Sequence, residues 1–472
     1  MARMTAEQVA AWSGGTWLGQ PPAGVDAVST DSRSVPPGAL YVALKGDRFD
    51  GHDFVEAALQ GGASSAVVAE SFNGSACGSA LLRVADTHLA LRDLAAGYRA
   101  AVAPRAIGIT GSVGKSTVKE LLAAMQSRRY VTASTRGNWN NDIGLPLSLL
   151  AMEPEATYGV FEVGSNHPGE IADLCSLLKP DWGVVTNIGP SHLEFFGSKA
   201  AVASEKGDLL AALPPEGVAF LDADGDFYDE LRGRTSARVV SVAFEQSADL
   251  VAATPATASD SVVIEDRRSG EPVELPRVLP GAHQVRNLLM AAAVACEAGL
   301  AWGEIRDGLA CFEPMPMRWS CREIDGVQVV NDAYNANPVS MDAALQTFRE
   351  MPVAGKRWLV LGDMLELGET AAEAHAALGR RLAGGDWAGV AVVGSLAAGI
   401  AESARRSDAA MELATCATAE EAGEWASAHL SAGDALLLKG SRGMHLETVI
   451  DVIEDAGKGM DDASGTQTDT CS

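Results

Sequence analysis

Short apolar runs and stretches of helical periodicity alternate through most of this 472-residue chain, and the alternation changes character twice. Residues 1 to about 103 are mixed, with an extended stretch, ALYVALKG, and a short helix around FVEAALQGGA. Past Pro104 the runs AIGIT, YGVFEVG, WGVVTNI and GVAFLDADG are separated by helical patterns. Buried strands alternating with helices read as βαβ units around a parallel sheet. EPMPMRW, at 313–319, reads as a linker, and RWLVLGDM, GVAVVGS and ALLLKGS form a second alternating series behind it. The last residues are small and polar and read as a disordered tail. No internal repeat is present. The expected class is α/β in three domains: a mixed α/β domain over 1–103, a central parallel-sheet P-loop domain over 104–316, and a C-terminal Rossmann-like domain over 317–456. The tail is expected over 457–472.

The stretch AIGITGSVGKSTVKELL (106–122) carries the first chemistry. The usual phosphate loop has a glycine where Ile109 stands, so only the shorter Gly-x-x-Gly-Lys-Ser form is present, with Gly111, Ser112, Val113, Gly114, Lys115, Ser116 and Thr117. Its setting is the required one: AIGIT is a strand pattern, and Val118, Leu121, Leu122 and Met125 share one helical face. Backbone N–H groups and a helix N-terminus then make an anion site, Lys115 reaches the β- and γ-phosphates, and Ser116 is a Mg²⁺ ligand. A solvated βα turn is the competing reading.

Composition narrows the partners. Net charge is −26, which disfavours nucleic acid and acidic membrane surfaces, so an anionic ligand must be held by a local cluster of donors. No segment approaches the roughly 18–20 apolar residues of a membrane helix, and the N-terminus lacks the pattern of a signal peptide. Seven scattered cysteines, none in a C-x-x-C pair, suit a reducing cytosol.

GNWNNDIGLPLSLL (137–150), FEVGSNHPGEI (161–171), TNIGPSHLEFFGS (186–198) and SEKGDL (204–209) follow the loop in order. Together with TGSVGKST they resemble the Mur ligase family, the ATP-dependent amide-forming ligases of peptidoglycan synthesis, in which the short loop is the normal one. LPGAHQVRNLLMAAAVA, VVNDAYNANPVSMDAAL and LVLGDMLELGETAAEAH extend the resemblance, and STDSRSVPPGALYVALKGDRFDGHDF resembles the family's UDP-binding domain. DAYNANP with GDMLELG is similar to the member that joins D-alanyl-D-alanine to UDP-N-acetylmuramoyl-tripeptide. The resemblance therefore implies ATP, two Mg²⁺ ions, a carbamylated lysine, a bacterial cytoplasmic location and a monomer. Two rivals stand beside it. One is another Mur ligase or a folylpolyglutamate synthase-like enzyme, of which STDSR, DGHDF and DAYNANP disfavour the folate reading. The other is a non-catalytic nucleotide-binding regulator.

Residue roles follow from the same resemblance. Glu162 and His192 match metal ligands, although alone they read as a strand-end carboxylate and a structural histidine. Lys206 matches the carbamylated lysine, where the bare sequence shows only the start of a charged helix. Asn287 matches an adenine contact, with helix capping as its bland alternative. Arg318 matches the linker arginine that reaches the phosphates, preceded here by Met317 where the family usually has glycine. Asp332 is placed for ATP. Substrate contacts are expected at Ser32, Arg33, Asp50, Gly51 and His52 for the UDP end. Asn138, Asn140, Asn141, Tyr334, Asn335 and Asn337 are expected nearer the reaction, the last three otherwise forming a polar turn before a helix begun by Ser340.

Overall fold

The computed structural model describes residues 3–74, 78–252, 260–268, 270–407 and 410–464. Three sheets of five, nine and six strands follow one another along the chain. The first holds Leu40–Val42, Ser65–Ala69 and Ala80–Val84 in parallel, with Thr16–Leu18 antiparallel at its edge. Its helix Thr87–Val102 turns Leu91 and Leu94 into a core shared with Leu145 and Leu149 of the central region. Tyr98 Oη donates to Met152 O at 2.8 Å and Arg99 Nε to Leu178 O at 2.9 Å, so the first region is bolted to the second.

Strand Arg105–Thr110 lies inside the central sheet, parallel to Tyr158–Glu162 on one side and Trp182–Val185 on the other. Val118, Leu121, Leu122 and Met125 of helix Lys115–Gln126 are buried against that sheet together with Leu288 and Leu289 of helix Ala282–Glu297. The chain leaves Arg105–Thr110 toward Thr132–Ser134 at one edge and leaves the adjacent Trp182–Val185 toward Val218–Asp222 on the other side, which opens a crevice at the carboxyl ends of these two strands, where Gly111 to Lys115 sit. Two antiparallel strands, Ser261–Asp266 and Glu271–Pro276, add an edge that the run-by-run reading of the sequence passed over. Ser261–Asp266 alternates buried and exposed positions and has no continuous apolar run to mark it. The third sheet is parallel through Val327–Asn331, Ala435–Lys439, Arg357–Gly362, Gly389–Val393 and Glu412–Cys416, with Ser320–Ile324 antiparallel at the edge.

Four sequence expectations need correcting. Lys206 is not at a helix start: the helix is Lys199–Ala211, capped by Ser198, and Lys206 lies well inside it and buried. Asn287 caps nothing, since helix Ala282–Glu297 begins five residues before it. The helix expected at Ser340 begins at Pro338, with Asn337 as its N-cap and Ser340 completing a capping box. Helix Thr448–Ser464 runs into the segment expected as a disordered tail; residues 465–472 lie outside the described ones.

Candidate active site between two sheets

The phosphate loop is shaped by two close approaches. A Cβ on Gly111 (φ +146°) would stand 1.9 Å from Thr186 Oγ1, and one on Gly114 (φ +88°) 2.4 Å from Asn287 Oδ1. Only glycine meets both demands. Thr186 Oγ1 donates to Val113 O at 2.6 Å, Val113 N–H to Asn187 Oδ1 at 3.0 Å, and Ser112 N–H to Asn187 O at 3.1 Å. The strand end at 186–187 thus fixes the loop. Ile109, at the place of the missing glycine, is a fully buried strand residue, so the turn simply starts later.

Two clefts meet at this loop. The first is lined by Ser112 to Thr117, Asn187, His283 and Asn287 from the central region and by Arg318, Asp332, Asn337 and Lys439 beyond it. The second is lined by Asn138 to Asp142, Glu162, His167 and His192, facing Glu366 and Arg442. Lys115, Arg318, Tyr334 and Asn335 line both, so the clefts share a wall. Arg318 Nη2 donates to Ser116 Oγ at 2.9 Å, and its guanidinium lies 4.1 Å from the centre of the Tyr334 ring. Met317 and Trp319, on either side of it, both take left-handed backbone, φ +61° and +55°. That explains why glycine suits the position before the arginine.

Lys115 Nζ donates to Gly111 O at 2.6 Å, curled onto its own loop. Burial holds its pKa below the ordinary lysine value; the charge of Glu162 opposes the shift and that of Arg318 adds to it. Glu162 is 1% exposed: Oε2 accepts from Asn140 Nδ2 at 3.3 Å, while Oε1 has no hydrogen-bond partner. His192 Nδ1 is 2.7 Å from Glu366 Oε2, an ion-pair approach that bridges the central and last sheets. Asp332 Oδ2 pairs with Lys439 Nζ at 2.9 Å. His283, beside them, has its pKa pushed down to about 4 by burial, with Asp332 opposing and Lys439 adding, so it is neutral near pH 7.

Some expected residues stand apart. Lys206 lines neither cleft. Burial, and then the charge of Lys115, push its pKa down to about 7, with Glu205 opposing. Ser32, Arg33, Asp50, Gly51 and His52 also lie outside both clefts. Arg33 is exposed and chelates Asp31 through Nε and Nη2 at 2.9 and 2.8 Å. His52 Nδ1 is 2.6 Å from Asp50 Oδ1, and Nε2 accepts from Ala69 N–H at 2.9 Å, so both ring nitrogens are spent within the first region. Lys119, Thr186, Asn187, His283 and Glu366 shape the clefts without having been singled out. Lysine and glutamate at those positions look like ordinary surface charge in a one-dimensional reading.

The glycine constraint is testable. Gly111→Ala should weaken nucleotide binding at least ~10-fold and cost about 1–3 kcal/mol of stability through strain at the loop. Calorimetric titration with nucleotide and a urea melt check both; native values for the variant contradict the close approach.

The chain matches the Mur ligase family's catalytic domain over residues 24–99, the Mur ligase middle domain over 109–295 and the Mur ligase glutamate ligase domain over 317–442. It is 40% identical to the UDP-N-acetylmuramoyl-tripeptide--D-alanyl-D-alanine ligase of Escherichia coli across 75% of this chain and 78% of that one. With the Bacillus subtilis enzyme of the same name the identity is 33% across 91% and 93%. A crystal structure of MurF from Acinetobacter baumannii superposes with a TM-score of 0.84 at 32% identity, covering 96% of this chain and 99% of that one. MurF from Thermotoga maritima in complex with ADP gives a TM-score of 0.77 at 27% identity, covering 92% and 98%. With two clefts meeting at a short phosphate loop and kinship along nearly its whole length, this chain belongs to the Mur ligase family.

Proposed function

We propose that this chain uses ATP to join D-alanyl-D-alanine to UDP-N-acetylmuramoyl-tripeptide. The observation that carries this reading is the wall shared by the two clefts, since ligation needs the γ-phosphate and the peptide carboxylate at one place. Nucleotide lies in the first cleft, its phosphates on the N–H groups of Gly114 to Thr117 and its base end toward Asn287 and neutral His283. The tripeptide carboxylate enters along Asn138, Asn140 and Asn141. A carboxylate oxygen attacks the γ-phosphorus, ADP leaves, and an acyl phosphate forms. The dipeptide amine then attacks the carbonyl carbon, and phosphate departs with the C–O bond. Lys115 and Arg318 balance the phosphate charge throughout. The UDP end reaches the first region, where Ser32, Arg33 and the 50–52 turn remain its proposed contacts.

The donor set also fits magnesium. Glu162 Oε1 is buried without a hydrogen-bond partner, and Ser116 stands in the first turn of the helix that follows the phosphate loop. Among the described residues no group of three His, Cys, Asp or Glu gathers, so phosphate and water oxygens must complete the shell, as Mg²⁺ prefers. Magnesium held by Ser116, Glu162 and His192 would offset charge on the phosphates. Burial pushes the pKa of Lys206 down to about 7, which favours the neutral amine that adds CO₂, and a carbamate there would place a negative charge near Lys115. The chain is proposed to act as a monomer in the bacterial cytoplasm; among the described residues no helix is long and apolar enough to cross a membrane.

Two tests follow. Phosphate release with UDP-tripeptide should depend on D-alanyl-D-alanine and be far weaker with D-alanine, L-alanine or glutamate, because a site built for a dipeptide leaves polar groups unpaired with a shorter amine. Lys115→Ala should abolish it while leaving the circular dichroism spectrum native. Preference for glutamate or diaminopimelate would assign a different member. Lys206→Ala should be nearly inactive and partly rescued by a short carboxylate in the buffer. Full activity in that variant, or a bare amine in a high-resolution map of active enzyme, removes the carbamate.

A further inference from the structure

Lys119 is one helical turn beyond Lys115 and has no exposed surface at all. A buried ammonium is expensive unless its protons are used. Here Nζ donates to Thr135 O at 2.7 Å and to Gly137 O at 3.3 Å, pairs with Glu120 Oε1 at 2.8 Å, and stands 3.7 Å from Glu162 Oε1. Its partners on the loop begin the asparagine strap at 135–142. Thr135 Oγ1 accepts the N–H of Glu162 at 3.0 Å. Farther along, Asn140 O accepts from Gly164 N–H at 2.9 Å and Asn140 Nδ2 donates to Glu162 Oε2. Gly144 N–H closes on Asn141 Oδ1 at 2.8 Å. The strap is therefore tied at both ends to the strand end that carries Glu162, and one lysine holds the near end.

We propose that Lys119 is a positioning residue: it sets the Glu162 carboxylate and the 135–142 strap in place together, so that the metal-binding oxygen and the peptide-binding amides are aligned before substrate arrives. The nucleotide helix, the strap and the strand end converge on its ammonium. The strap's role as a peptide contact rests on the ligase reading above; the effect on Glu162 does not. Without the ammonium, Glu162 loses the cation 3.7 Å from its Oε1, and the carbonyls of Thr135 and Gly137 lose their donor. The carboxylate then turns and the strap loosens.

The test is Lys119→Met, which keeps length and volume. Binding of Mn²⁺ with ADP present and no UDP-tripeptide, followed by electron paramagnetic resonance, should weaken about 10–100-fold, the range found when an outer partner of a metal ligand is lost. Calorimetry with UDP-N-acetylmuramoyl-tripeptide should show a Kd raised ~10-fold, while the KM for D-alanyl-D-alanine stays within about twofold. A lysine that only supported the fold would lower kcat through the active fraction and leave both affinities at wild-type values. That result overturns the proposal. Should Lys119→Met fail to fold, Lys119→Met with Glu162→Gln removes both buried charges together, a change that is close to neutral for folding. Its Kd for the UDP-tripeptide should exceed that of Glu162→Gln alone by ~10-fold, and equal values overturn the proposal. Wild-type protein that binds Mn²⁺ but not the UDP-tripeptide would sink the ligase reading instead, and the Mn²⁺ comparison would still decide the role of Lys119.

Discussion

At Gly111 the main chain passes so close to Thr186 that no side chain fits between them, and the rest of the site depends on that contact. Thr186 and Asn187 end the neighbouring strand, and their hydrogen bonds to residues 112 and 113 turn the loop so that its free N–H groups face the cleft. A chain with a net charge of −26 repels a triphosphate at long range, so binding must come from this short-range array of N–H dipoles and the few cations beside it. The long-range field and the local site act in opposite senses. The local site wins because the donors are preorganised and partly dry.

An acyl phosphate has to be kept from water, and the architecture answers with two walls from different sheets. Lys115 and Glu162 stand on the central sheet. Arg318, Tyr334, Asp332 and Lys439 come from the linker and the last one. Arg318 reaches back to Ser116, and Glu366 reaches His192, so polar contacts close the cavity from both ends. Both contacts are polar, which suits a joint that must part for substrates to enter and products to leave.

The phosphate loop and its flanking elements were legible because strand, turn and helix are consecutive in the chain, and helix periodicity placed Val118, Leu121, Leu122 and Met125 correctly in the core. The parallel runs on either side of residues 313–319 were legible for the same reason. What stayed hidden depends on contacts distant in sequence. Lys119 looks like a surface lysine until Thr135 and Glu162 fold over it. Glu366 gains meaning only opposite His192, 174 positions away in the chain and 2.7 Å away in space. His52 also binds Asp50 and the N–H of Ala69, a use that no motif announces. The Ser261–Asp266 strand escaped because an edge hairpin with one wet face carries no unbroken apolar run.

The central claim is that the two clefts meet so that the peptide carboxylate attacks the γ-phosphorus directly. Isotope transfer tests this most directly. UDP-N-acetylmuramoyl-tripeptide carrying ¹⁸O in its terminal carboxylate is turned over with ATP and D-alanyl-D-alanine, and the released phosphate is examined by mass spectrometry. The account predicts one ¹⁸O in each phosphate, brought over from the carboxylate when the acyl phosphate breaks. Unlabelled phosphate, with amide product formed at the same rate, would contradict it.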